Sequence, residues 1–458
     1  MPVISNSDSI SISGSSRLKT LFINRKFALL FFGQAISLLG DQIFVMILIV
    51  WIAAQIATNQ PWAPLATSGL LIASTIPSLL IAPLAGVFID RWDRRKTMLW
   101  MDFMRGVLLI VLFLLPFFQK YIHPFFLLIL IYIAIFCENV CSEFFGPARF
   151  ALIGDIVPEE KRPQAISMEQ ISQALSVILG PPIAAPLLFG VGAQWAFLFD
   201  ALTFVLSFCA ICAVRLPASL QQNVDEVGRG SDKGTSGAGI RAEFREGLHF
   251  VFGNKAIRVL VISVFLLTLS LGSFTPLSVF FIQQNLHVSV SDTGILLAFF
   301  GVGAIVGAAL SGAFAQRIGI KRLFVCAIIL AGILFILFSR LNSFLLACIV
   351  ILAIGAMQAA TNVASAPILL KETPRSFIGR VSSIMNPLAT IGTLISVSGA
   401  GYVSGILLEH FHLEVFGFTF GPVDTIYTIS GIIIALTGIF AAFSLTDARK
   451  YGQATRQA

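Results

Sequence analysis

Long apolar runs alternate with short polar breaks along the whole chain. Most runs reach about twenty residues, the length needed to cross ~30 Å of hydrocarbon as a helix. Twelve such spans are predicted: near 27–54, 65–89, 97–119, 124–147, 165–190 and 193–214, then near 256–283, 291–315, 322–340, 343–369, 383–408 and 424–446. The pattern predicts an all-α membrane protein, with a six-helix bundle over 27–214 and a second over 256–446. Residues 1–26 read as a Ser-rich tail without the basic-then-apolar layout of a signal peptide, and residues 447–458 as a second tail. Residues 215–255 are the only long polar stretch between spans. Their first part has the Gly/Ser/Asp/Lys bias of a linker. Their second part, IRAEFREGLHFVF, sets Ile240, Phe244, Leu248 and Val251 at helical spacing and predicts an amphipathic helix on the membrane surface.

Composition agrees, with 57% hydrophobic and 12% charged residues against about 25% charged in soluble domains. The net charge of +7 could suggest nucleic acid, but its distribution excludes that reading. With the spans above, twenty-seven of the thirty Lys and Arg residues fall on one side; Lys120 and Arg340 fall on the other, and Arg105 lies within span 3. The positive-inside rule then places both termini in the cytoplasm of a multi-pass cell-membrane protein. All six cysteines, including the CAIC of 209–212, fall inside spans and read as small packing residues. No His/Cys/Glu cluster has metal-site spacing, and no phosphate-cradling Gly-x-x-x-x-Gly-Lys-Ser/Thr run occurs. Neither a metal, a cofactor nor an enzymatic activity is therefore expected.

The chain repeats itself. GVFIDRWDRRK (86–96) after span 2 returns as GAFAQRIGIKR (312–322) after span 8, and PEEKRPQAIS (158–167) after span 4 returns as PRSFIGRVSS (374–383) after span 10. Parallel halves joined by a linker are a transporter layout, with a site at the interface between halves.

Ionisable groups inside spans are costly and mark function by default. Asp41 in span 1 lies about fourteen residues from the basic edge, ~21 Å at 1.5 Å per residue, where a carboxyl could load and release a proton. Glu138 in span 4 is at a similar level and Glu143 is shallower. Arg105 in span 3 is the natural counter-ion for Glu138 or Asp41, unless it reaches back to the interface. Asp200 in span 6 reads as a packing or gating residue. Spans 7–12 carry no such charges and offer instead Phe265, Phe274, Phe280, Phe299, Phe300, Met357, Gln358, Asn362 and Asn386. These could line an apolar cavity with few polar anchors, or simply pack.

On these residues the chain resembles the major facilitator superfamily. Gly86, Asp90, Arg91, Arg94 and Arg95 match that family's signature between spans 2 and 3, with Phe88 and Asp93 as departures. Asp93, NRKFALLFFGQAISLLGD (24–41), MDFMR (101–105), FLFDALTF (197–204) and FIGRVSSIM (377–385) resemble the macrolide-efflux type of drug:proton antiporter. The resemblance implies that the 86–96 turn is a conformational latch. Its second copy keeps Gly312 and Arg317, but Gln316 stands where Asp90 would be. Gly180, Pro181, Ala184 and Ala185 in span 5 resemble the antiporter signature, with Ala at both terminal glycine places. The expected function is export of a lipophilic small molecule against protons by a monomer in the lipid bilayer. An exporter of a siderophore or lysophospholipid is the alternative, and a non-transporting sensor a more distant one.

Overall fold

The structure is a computed structural model describing residues 23–58, 60–89, 92–214, 237–407, 413–415 and 418–446. Among them are twelve helices long and apolar enough to cross a membrane. Spans 1 to 6 are Arg25–Ile56, Ala63–Leu80, Arg94–Phe118, Pro124–Ile156, Glu159–Val191 and Ala193–Ala213. Spans 7 to 12 are Lys255–Gln284, Val290–Ile318, Ile320–Ser339, Phe344–Glu372, Phe377–Leu407 and Pro422–Leu445. The fold is all-α, apart from a two-stranded antiparallel ribbon, Leu413–Val415 against Phe418–Phe420, between spans 11 and 12. The tails, residues 215–236, and Asp90 and Arg91 of the expected latch lie outside the described residues.

Two matching caps expose the relation between the halves. Asn24 caps span 1 by accepting from the Phe27 amide at 2.7 Å, and its own amide donates to the Ile156 carbonyl at the end of span 4. Asn254 caps span 7 through the Ala256 and Ile257 amides and donates to the Glu372 carbonyl at the end of span 10. In both halves one asparagine satisfies orphan amides at a helix start and clamps the first span to the fourth.

Span 4 differs from expectation. Pro147 suggests a helix end, yet the helix continues to Ile156 with that proline inside it. Arg149, counted with the loop charges in the sequence, is therefore a span residue only 5% exposed. Two other spans are interrupted. Span 2 bends at Ile81 and resumes as Ala82–Ile89, and span 7 is interrupted at Gly272–Ser273. The linker helix covers Gly237–Gly253 and is separated from span 7 by the Asn254 cap. It packs on span 11: Val251 is buried beside Val381 and Ile384, Phe250 stacks on Phe377 at 4.9 Å, and Glu246 pairs with Arg380 at 2.6 Å. The Ile240 and Phe244 side chains of the expected apolar face lie outside the described set.

The end holding Arg25, Arg94, Arg162, Lys255 and Arg317 is the basic end. At the opposite, far end the bundles touch. A Cβ on Gly401 of span 11 would lie 2.6 Å from the Ser68 Cβ of span 2, and one on Gly301 of span 8 would lie 2.5 Å from Ile178 of span 5. Gly294 of span 8 abuts the Pro181 carbonyl. Small residues permit this approach of backbones. Toward the basic end the same two faces separate. Ile178 continues at helical spacing into Ala174, Ile171, Ser167 and Gln164, all exposed. Gly301 continues into Ile305, Ala308, Gly312 and Gln316, also exposed, and a Cβ on Gly312 would meet nothing within 4 Å. The cleft between the bundles thus opens at the basic end. Its far end is backed by an aromatic cluster in which Phe274 packs on Phe300, Phe335, Phe338 and Tyr427. Phe274 and Phe280, which the sequence could assign to a cavity or to packing, are each only 6% exposed; Phe274 belongs to that wall and Phe280 to the surrounding core.

Candidate functional site

Three charged side chains meet inside the N-terminal bundle. Arg105 of span 3 donates from Nε to Glu138 Oε1 of span 4 at 2.8 Å and from Nη2 to the same oxygen at 2.5 Å. Its Nη2 also faces both Asp41 oxygens of span 1, at 3.0 and 3.1 Å. The guanidinium plane lies 4.1 Å from the Phe204 ring centre of span 6, a cation–π contact that closes its remaining face. Glu138 Oε2 accepts from Asn139 at 3.0 Å, and that amide also donates to the Ile135 carbonyl. The sequence offered Arg105 as counter-ion to one carboxylate or the other, and here it holds both.

Exposure distinguishes the two acids. The Asp41 side chain is 24% exposed and that of Glu138 only 8%, so Asp41 is the member that solvent reaches. With both carboxylates ionised the three groups carry a net charge of −1. Burying net charge is costly, whereas one bound proton makes the cluster neutral. The geometry can therefore hold one exchangeable proton between two acids and one arginine.

The other expected residues are distributed as follows. Asp200 is fully buried on span 6, with Oδ1 accepting from Thr203 at 3.1 Å and packed on Gly40 beside Asp41. Glu143 is half-buried and makes no ion pair among the described residues. A Cβ on Gly180 would come 2.5 Å from the Gln42 Cβ of span 1, and Pro181 faces span 8, so the GPP turn sits where span 5 meets both bundles. Ala184 is buried; the Ala185 side chain is outside the described set. In the signature turn, Arg94 grips both oxygens of Asp155 at 2.8 and 2.7 Å. Arg95 donates to the Ile211 and Cys212 carbonyls at the end of span 6, capping orphan acceptors. Asp93 caps span 3 through the Lys96 amide at 3.0 Å. The turn thereby ties spans 3, 4 and 6 together at the basic end. In the second copy Gly312 and Arg317 are exposed and make no such contact among the described residues, while Lys321 pairs with Glu372 at the end of span 10 at 2.7 Å.

Sequence reasoning missed Asp102, Arg149 and Glu169, each 5% exposed or less. Asp102 precedes Arg105 by one helical turn on the same face, the one pattern that could have flagged it.

Two parallel halves of six spans, a cleft open at one end, and a buried acid–arginine cluster beside it define a secondary transporter of the major facilitator type. Residues 19–411 match the transmembrane secretion effector family, and the chain belongs to that family. It is 24% identical to the MFS-type transporter YkuC of Bacillus subtilis over 93% of each chain. It is also 24% identical to macrolide efflux protein A of Streptococcus pyogenes, over 63% of this chain and 66% of that one. Its fold matches a bacterial homologue of the iron transporter ferroportin in the inward-facing state, with a TM-score of 0.68 at 15% identity, covering 91% and 98% of the two chains.

Proposed function

We propose that the protein exports lipophilic small molecules in exchange for protons by alternating access, as a monomer, with the basic end and both termini in the cytoplasm. The observation that carries this reading is Arg105 held between a partly exposed Asp41 and a buried Glu138. A proton reaching Asp41 neutralises it and loosens one arm of Arg105, which stays anchored on Glu138. Loss of that proton restores the ion pair and leaves a carboxylate at the cleft for a lipophilic, often cationic, compound. The two states differ in charge at one place, so proton and substrate compete for the same stabilisation. Proton entry down the membrane potential adds ~2.3 kcal/mol per charge per 100 mV.

The cleft open at the basic end supports loading from the cytoplasm, and the likeness to macrolide efflux protein A supports export. In this reading the Arg94–Asp155 pair and the Arg95 caps are the latch of the first half, reset in each cycle. Asp200 against Gly40 keeps the Asp41 segment of span 1 in place, and the Gly180–Pro181 turn is the pivot against span 8.

The test uses the full chain in proteoliposomes with erythromycin as probe. An acidic vesicle interior should drive erythromycin uptake several-fold above the rate without a gradient. Uptake that ignores the gradient removes proton antiport. No uptake of erythromycin, together with pH-driven uptake of a lysophospholipid, would replace the drug by an amphiphile.

A further inference from the structure

A second set of buried polar groups lies one to three helical turns nearer the basic end than the Arg105 cluster. It draws one residue from each of spans 1, 3, 4, 5 and 6: Gln34, Asp102, Arg149, Glu169 and Ser207, all between 0% and 5% exposed. They form a continuous chain. Arg149 Nη1 lies 3.3 Å from Glu169 Oε2 and donates to Gln34 Oε1 at 3.5 Å. Gln34 Nε2 donates to Ser207 Oγ at 2.7 Å, and Ser207 Oγ donates to Asp102 Oδ2 at 2.5 Å. A buried side-chain network of this extent is costly unless its members are satisfied together. Yet Asp102 Oδ1, both Glu169 oxygens and Arg149 Nε have no hydrogen-bond partner among the described residues.

The direction of the donors is informative. Because Arg149 can only donate, Gln34 must present its carbonyl to Arg149 and its amide to Ser207. Ser207 must then spend its single proton on Asp102. While Arg149 is on Gln34, Asp102 Oδ2 is obliged to accept. If Arg149 moves fully onto Glu169, Gln34 can turn over, Ser207 can reverse, and a protonated Asp102 can donate to Ser207. The position of one arginine thus decides which of two carboxyls holds a proton.

Charge leads to the same arrangement. Asp102 and Glu169 share one arginine, as Asp41 and Glu138 share Arg105. The charged groups within electrostatic reach of Asp102 are Arg105, Asp41 and Arg149, and of Glu169 only Arg149. With all four of these acids ionised, the two clusters together stand at net −2, and one proton on each brings the pair of clusters to neutrality.

We propose that Asp102 and Glu169, joined through Ser207, Gln34 and Arg149, form a second proton-carrying site, so that each cycle moves two protons. The site stands between the Arg105 cluster and the basic-end opening, where a departing proton would pass. When Asp102 gives its proton to water and Glu169 takes one from water, Arg149 shifts to Gln34 and Asp102 remains as the accepting carboxylate. The amide and guanidinium between them set the exchange without carrying the proton. When Glu169 releases that proton at the basic end, it draws Arg149 back and the chain can reverse. The two-proton count rests on the antiport reading above; the existence of the site does not.

Two readouts separate these. Infrared difference spectra of the purified full chain, titrated by pH, should show Asp102→Asn removing a carboxylic-acid C=O band that Asp41→Asn leaves in place. Ser207→Ala, which keeps both acids, should shift that band in frequency. Unchanged bands in both variants overturn the site, whatever the protein transports. In proteoliposomes with erythromycin, the coupling ratio should fall from about two protons per drug molecule to about one in Asp102→Asn. An unaltered ratio in a variant that has lost its band overturns the two-proton cycle. Absence of erythromycin transport by the native protein, with the bands behaving as described, would count against the drug-antiport reading alone.

Discussion

Asp41, Glu138 and Arg105 illustrate what single residues reveal in a membrane chain. Each is an ionisable group deep in an apolar span, so cost alone marks it, and depth along the helix brings the three to one level. Depth could not say that Arg105 serves both acids at once, which depends on how spans 1, 3 and 4 rotate against each other. Arg149 was hidden for another reason: it follows Pro147, which reads as the end of a helix that in fact continues. Glu169 was hidden because it lies only four residues inside the predicted start of span 5 at 165, where a charge usually marks the interface. Removing Arg105 leaves two buried carboxylates facing each other, so Arg105→Ala should destabilise the protein by about 3–5 kcal/mol, read as a lowered melting temperature in detergent. Adding Glu138→Gln to Arg105→Ala should recover part of that loss. Equal stability of Arg105→Ala and native protein would show that the cluster is not an energetic unit.

Helices carry the next layer of meaning. Span existence was legible because an apolar run of about twenty residues has few other fates. Kinks, caps and contact faces were not, since they depend on which partner a helix meets. The glycines of span 8 illustrate this: one stripe in sequence serves two neighbours, Gly301 meeting span 5 and Gly303 and Gly307 meeting the backbone of span 10. Because the far end closes on Gly301 and Gly294, Gly301→Leu should prop it apart and favour the state closed at the basic end. Labelling of Ala308→Cys by a water-soluble maleimide should then slow several-fold compared with the same cysteine beside a native Gly301. Undiminished labelling would mean that this contact does not hold the far end shut. The linker helix makes the opposite kind of prediction. Glu246 is 60% exposed in its pair with Arg380, so Glu246→Ala should cost under about 1 kcal/mol. A loss several times larger, measured by thermal denaturation, would mean that the helix is held mainly by that ion pair rather than by Val251 and Phe250.

At the scale of the molecule, two related halves have taken different parts. The Asn24 and Asn254 clamps show the shared plan, a correspondence that sequence could not flag because the residues they grip differ. The repeated basic turn was visible at once, and both copies pair with the fourth span of their own half, Arg94 with Asp155 at the end of span 4 and Lys321 with Glu372 at the end of span 10. The N-terminal bundle holds the Arg105 and Arg149 clusters along its spans, whereas the Arg340–Asp424 pair of the second half sits at the far end. The C-terminal bundle also supplies an aromatic wall and a close-packed face against the first half. In the proposed antiport cycle the first half would bind protons, and the second would convert their binding into opening and closing of the cleft. The most direct measurement is internal pH in proteoliposomes under an imposed inward erythromycin gradient, with the potential clamped and no starting pH difference. Native protein should make the interior alkaline, and Asp41→Asn should leave it unchanged. Erythromycin entry with a flat internal pH, or proton movement in Asp41→Asn equal to that of the native protein, would contradict antiport through Asp41.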